Sequence, residues 1–177
     1  MAFCRSLAIA LTLVHLGVAG LAAPLAAQGV ANPAEAKPVT PAELARLMGA
    51  PSAKLILIDT RELIEFAVSH LRGARNVGTG TQTKDFVAAL GGAVRGATIV
   101  FYCTSGARSA PYAQMAQDDL KAAGAKNVFT LKGGVIAWAN EQRPLFDAKG
   151  PTAFVHTYDA ETAKQLKRPQ LARFEPR

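Results

Sequence analysis

The sequence predicts an α/β fold built on a mainly parallel sheet, and three observations carry that prediction. Leu55–Ile58, Thr98–Tyr102 and Asn127–Leu131 are continuous apolar or β-branched runs without the alternation of a half-exposed strand, so they read as strands buried on both faces. Helical patterns separate them, which is the signature of parallel pairing through crossovers. The runs end in Asp59, Cys103 and Lys132-Gly133-Gly134, and parallel sheets gather their chemistry beyond the carboxyl ends of the strands.

The elements follow in order. Thr40-Pro41-Ala42-Glu43 opens a helix, with Thr40 as N-cap, Pro41 at the first helical position and Glu43 three residues after the cap. Leu44, Leu47 and Met48 line one face of that helix, which stops at Gly49. Short helices are expected over 62–68, 84–90 and 135–140, and the longest over 107–123, closed by Gly124. Residues 74–77 read as a further short strand. After Pro144 the pattern fades.

The chain has 177 residues, of which 50% are apolar, 20 basic and 13 acidic, with two cysteines. This composition excludes a collagen, a disulfide-rich mini-protein and a disordered chain. The apolar excess is concentrated at the start. Residues 1–27 hold 20 apolar residues and no acidic one, whereas the remainder is about 45% apolar, as in ordinary soluble domains. Arg5, the Leu/Ala/Val/Ile run from Leu7 to Val18 and the small residues up to Ala27 form the three-part layout of a secretory signal peptide. Export, to a periplasm, is therefore expected, with a membrane anchor at residues 7–27 as the alternative. Residues 28–37 read as a linker, 38–145 as the folded domain and 146–177 as a basic extension. Residues 161–177 carry five basic and two acidic residues but one aromatic, Phe174, and no nucleic-acid motif, so no nucleic acid is expected as partner.

Cys4 belongs to the leader, so the mature chain holds a single cysteine, Cys103. The absence of a Cys-x-x-Cys argues against a thiol–disulfide oxidoreductase, and one cysteine with His70 and His156 offers no metal-ligand spacing. Cys103-Thr104-Ser105-Gly106-Ala107-Arg108-Ser109 joins a buried strand to the longest helix. Small residues and a glycine let such a loop curl until successive N–H groups point at one spot, and the helix N-terminus adds its positive dipole end. A thiolate at the start of the loop sits over that positive potential and becomes a candidate nucleophile. The Arg108 guanidinium has the fork that suits oxyanions.

Four segments, in order, resemble the rhodanese family. They are Leu57-Ile58-Asp59-Thr60-Arg61-Glu62 with Glu65-Phe66, then Ser69-His70-Leu71-Arg72-Gly73-Ala74-Arg75-Asn76-Val77, similar to the family's "GHIPGAxNI". Phe101–Ser109 is similar to its "YCxxGxRS", and Leu131–Trp138 to its "LxGGxxAW". The resemblance implies a five-stranded, mainly parallel sheet with helices on both faces. It also implies a sulfurtransferase in which Cys103 takes the outer sulfur of a small anionic donor such as thiosulfate. The persulfide then passes that sulfur to cyanide or a thiol, with no metal or organic cofactor. Thr104, Ser105, Gly106, Ala107, Arg108 and Ser109 are implied as the persulfide-binding loop. Thr104 stands where many thiosulfate-using members have a basic residue. Four residues separate Cys103 from Arg108, one fewer than in phosphatases and arsenate reductases of this fold, which favours sulfur over a tetrahedral oxyanion. A sulfane-sulfur carrier or partner-binding protein with little turnover is the alternative.

Asp59 and Arg61, at the mouth of a strand, read as a pair bracing the sheet edge, with substrate placement or loop support as the alternative. His70 reads as structural, Trp138 as core near the loop, and Gly133 and Gly134 as permitting close backbone approach there.

Overall fold

In the computed structural model the described residues are Met1, 36–50, 53–78 and 80–177. The expected leader beyond Met1 and residues 28–35 of the expected linker lie outside them. Strand β1 (Lys37–Val39) leads to α1 (Pro41–Gly49), β2 (Leu55–Asp59), α2 (Leu63–Val68), β3 (Arg75–Asn76) and α3 (Thr83–Leu90). A 3-10 turn, β4 (Thr98–Tyr102), α4 (Ser109–Ala122), β5 (Asn127–Leu131) and α5 (Gly134–Asn140) follow. The chain then forms β6 (Leu145–Asp147), β7 (Gly150–Thr152), α6 (Ala160–Ala163) and a last 3-10 turn at Pro169–Leu171.

Five strands form one sheet in the order β1-β5-β4-β2-β3, and each pairing is parallel. The uninterrupted apolar runs have the expected consequence, because alternate side chains enter different cores. Ile56, Ile58, Ile99, Phe101 and Val128 pack with Phe86 of α3 and Tyr112, Ala113, Ala116 and Leu120 of α4. Leu57, Val100, Tyr102 and Leu131 face the other way, against Leu44 of α1 and Val135, Ile136 and Trp138 of α5. A strand covered on both faces gains nothing from a polar alternate, which explains the missing period-2 signal. The start of α1 is as expected: the Thr40 hydroxyl accepts from Glu43 N–H at 3.2 Å, while the Glu43 carboxylate accepts from Thr40 N–H at 2.8 Å.

One boundary differs from the sequence reading. Lys37, assigned to the linker, opens β1, where Lys37, Pro38 and Val39 pair with Phe129, Thr130 and Leu131. No apolar run marks this strand because it lies at the sheet edge, where a proline is tolerated and only Val39 is buried. The basic extension, which the sequence leaves as either a solvated tail or a segment wrapping the domain, takes the second form. After the antiparallel β6–β7 hairpin it returns to the domain, and Leu145, Val155 and Leu166 join the core beneath α1 and α5. Phe146 exchanges both backbone hydrogen bonds with His70, at 2.8 and 2.9 Å. At the far end Arg177 grips Asp147, with Nε on Oδ2 at 2.7 Å and Nη2 on Oδ1 at 2.9 Å. Among the described residues no helix is long and apolar enough to cross a membrane.

Candidate active site

Cys103 leaves the carboxyl end of β4, which lies at the middle of the sheet, and its side chain is buried. The loop curls as its composition suggests. Gly106, at φ +102°, turns its N–H back on Cys103 Sγ at 3.1 Å. The Ser109 hydroxyl donates to the Gly106 carbonyl at 3.2 Å and so ties the loop to the first turn of α4. On the other side, Val135 and Ile136 of α5 donate to the carbonyl oxygens of Cys103 and Thr104 at 2.9 and 3.1 Å. In a trans peptide C=O and N–H point opposite ways, so the N–H groups of Thr104 and Ser105 face away from α5. The short helix α5 thus orients the cysteine loop from behind.

That contact explains the glycine pair. Gly133 and Gly134 have φ of +72° and +57°, and a Cβ on Gly134 would overlap the carbonyl oxygens of Cys103 and Thr104. Trp138 is buried one turn further on and donates from Nε1 to the Pro144 carbonyl at 3.0 Å, which makes it core and a hairpin anchor.

Arg108 does not hold its guanidinium free. Nη1 and Nη2 donate to the two carboxylate oxygens of Glu65, each at 2.7 Å, and Nη2 also reaches the Thr104 hydroxyl at 2.9 Å. Thr104 in turn donates to Glu65 at 3.0 Å, while Glu65 accepts from the Glu62 N–H at 3.0 Å. Burial alone would raise the Glu65 carboxyl, but the Arg108, Glu62 and Thr104 hydrogen bonds outweigh it and hold the group below the usual carboxylate range. The Glu65 hydrogen bonds and charge hold the Arg108 guanidinium above its ordinary range despite partial burial. Of the remaining loop residues, Ser105 is half-buried, Ala107 exposed and Ser109 buried.

Asp59 and Arg61 form a brace, both side chains being 0% exposed. Arg61 donates Nε to Asp59 Oδ1 at 2.9 Å and Nη2 to Asp59 Oδ2 and to the Ser69 carbonyl, each at 2.6 Å. Burial works against the Arg61 charge, and Asp59 overcomes it. Asp59→Ala leaves a buried cation without its counter-charge and is expected to cost about 3–5 kcal/mol. Replacing both residues by apolar ones is expected to recover part of that loss, and urea unfolding of the two variants measures the difference. His70 is structural as expected: its ring stacks on Phe66 at 3.9 Å, and Nδ1 lies 3.0 Å from the Phe66 carbonyl.

Three residues of the site escape the sequence reading. Glu65 sits in a segment singled out there, but nothing local marks it as the counter-charge of Arg108. His156 and Tyr158 come from the C-terminal extension, where no periodic pattern points anywhere. His156 Nδ1 lies 3.9 Å from Glu65 Oε1, and the Tyr158 ring lies over the Arg108 guanidinium at 4.9 Å.

A model of the rhodanese-like domain matches residues 40–141, more than half of the chain. The chain belongs to the rhodanese-like domain family. Among curated proteins, the probable adenylyltransferase/sulfurtransferase MoeZ of Mycobacterium tuberculosis is 31% identical over 121 residues, which are 67% of this chain and 28% of MoeZ. The chain thus spans under a third of the length of the curated relative it matches. Among solved structures, a thiosulfate sulfurtransferase from Pseudomonas aeruginosa superposes with a TM-score of 0.52 at 23% identity, covering 73% of this chain and 23% of that one. A Rhodopseudomonas palustris protein of unknown function, described as a possible tyrosine phosphatase, gives a TM-score of 0.52 at 26% identity over 62% of this chain and 84% of that one. The family match ends before the β6–β7 hairpin, so His156 and Tyr158 lie beyond the matched residues.

Two carboxylates give this domain an acid limit. Arg177 holds the Asp147 carboxyl at about 2, and Glu65 is lowered as described. A carboxylate lowered by folding stabilises fully above its unfolded range and loses that contribution as pH falls through its folded value. Stability is expected to be flat above about pH 4.5 for these groups and to fall steadily toward pH 2. Urea midpoints across that range measure it, and Arg177→Ala is expected to flatten the lowest part of the slope.

Proposed function

We propose that this rhodanese-like domain is a sulfurtransferase with Cys103 as nucleophile. The Cys103 thiolate attacks the outer sulfur of a donor, here thiosulfate. The new S–S bond forms as the donor's S–S bond breaks, sulfite leaves with the bonding pair, and Cys103 carries a persulfide. A thiophilic acceptor then attacks the outer sulfur: cyanide leaves as thiocyanate, and Cys103 returns to its thiolate. The observation that carries this reading is the Gly106 N–H aimed at Cys103 Sγ at 3.1 Å, a backbone donor placed where negative sulfur must be held in both states. No other cysteine lies in the chain beyond Cys4, so a persulfide has no partner thiol in the domain and its sulfur passes to an external acceptor.

The similarity to MoeZ, a probable adenylyltransferase/sulfurtransferase, supports the same reading. A phosphatase would need its loop arginine for the phosphate oxygens, whereas both Arg108 Nη atoms are committed to Glu65 and the loop is one residue shorter. Export to a periplasm belongs to the same proposal and rests on the composition of the leader. An N-terminus beginning near residue 28 on the protein isolated from cells supports it, and an intact Met1 on soluble protein contradicts it.

The test is steady-state transfer to cyanide from thiosulfate and from a small thiol persulfide. Turnover with either donor is the expected result. Persulfide formation on Cys103 without turnover would make the protein a sulfur carrier, and neither reaction with either donor would remove the proposal.

A further inference from the structure

We propose that the C-terminal extension completes this site, with Tyr158 as the positioning residue that holds Arg108 against Glu65 and His156 as the residue that holds Tyr158. The inference rests on the sulfur-transfer reading for its activity assay but not for its geometry.

Four observations converge. The ring of Tyr158 covers the Arg108 guanidinium at 4.9 Å while remaining 60% exposed, so it is not there to fill a core. Its backbone is left-handed, with φ +72°, a conformation that disfavours a side chain and persists when the surroundings impose it. What imposes it is the Tyr158 N–H, which donates to His156 Nδ1 at 3.1 Å. His156 is itself fixed. It is 7% exposed, its ring meets the Phe174 edge at 5.3 Å, and Val155 before it is pinned by backbone bonds to Leu171 and Arg173, each at 2.9 Å.

The arrangement makes chemical sense only in relation to Arg108. The guanidinium edge is used by Glu65 and Thr104, and its open face would be hydrated if Tyr158 were absent. An aromatic face over a cation excludes that water and favours the charge. Arg108 is a fixed positive charge in the same short loop as Cys103, so fixing it fixes the potential over the sulfur. His156 accepts at Nδ1, so its neutral form carries the proton on Nε2, and burial lowers its tendency to take a second proton. Glu65, Arg61, Arg108 and Glu175 are the charged groups around it.

The experiment compares wild type, Tyr158→Phe, Tyr158→Leu and Tyr158→Gly by melting temperature, by the rate of Cys103 alkylation with iodoacetamide at pH 7, and by kcat and KM for thiosulfate-to-cyanide transfer. Tyr158→Phe keeps the ring and is expected to rescue wild-type rates within about twofold. The Leu and Gly variants are expected to alkylate about two- to fivefold more slowly and to lose a similar factor in kcat with KM little changed, the range given by a partly exposed cation–π contact. Tyr158→Gly suits the left-handed backbone and is expected to melt no lower than wild type, which separates positioning from stability. Equal alkylation in all four proteins, faster alkylation in Leu or Gly, or losses that track melting temperature would overturn the proposal. Alkylation involves no sulfur donor. A wild type that alkylates in the expected pattern but transfers no sulfur would therefore count against the sulfurtransferase reading while supporting the role of Tyr158.

Discussion

Cys103→Ser is expected to reduce sulfur transfer by at least about a thousandfold, or about 4 kcal/mol of barrier, with the fold intact. A serine hydroxyl is not ionised at neutral pH and forms no persulfide, so the step is removed rather than slowed. The substitution exchanges one small buried atom for another, and the Gly106 N–H that points at Sγ has an oxygen to meet instead. Thermal unfolding should therefore shift by only a few degrees. Retention of more than a few per cent of turnover would mean that another group carries the sulfur.

Gly134→Ala is expected to be the most damaging substitution outside the cysteine itself. The new methyl group would overlap the Cys103 and Thr104 carbonyl oxygens, which are backbone atoms and cannot rotate away as a side chain would. The φ of +57° adds a strain that only glycine escapes. Relief requires α5 to retreat from the loop, which breaks the bonds from Val135 and Ile136 that orient the loop peptides. Overpacking and backbone strain together are expected to cost about 3 kcal/mol. Turnover should fall further than that loss of folded protein explains, because the loop that carries the Gly106 N–H to Cys103 Sγ is displaced. Denaturant melts and kcat, measured on the fraction that remains folded, separate the two effects.

The sheet and its helices were legible because their signals are local. Leu55–Asp59, Thr98–Tyr102 and Asn127–Leu131 announce burial on both faces by composition alone, and Thr40 with Glu43 marks a helix start. The cysteine loop was legible for the same reason, since its small residues, glycine and arginine lie within seven positions. What escaped is what depends on distance. β1 exists because Phe129–Leu131 offers an edge to pair with, not because Lys37-Pro38-Val39 favours a strand. Arg108 reads as an oxyanion fork until Glu65, 43 positions earlier, is brought beneath it. His156 and Tyr158 reach the loop through a hairpin and an ion pair, Asp147 with Arg177, that no period or motif foretells. A basic count likewise misleads, because part of the positive charge at the end of the chain is spent on holding the extension in place.

Cys103 Sγ is the atom proposed to carry the sulfur, and the most direct test is the mass of the intact protein after brief treatment with thiosulfate or a thiol persulfide. The expected result is a gain of one sulfur atom, mapped by digestion to the peptide holding Cys103, lost again on addition of cyanide and absent from Cys103→Ser. No gain with either donor, or a gain of the same size in Cys103→Ser, would contradict it.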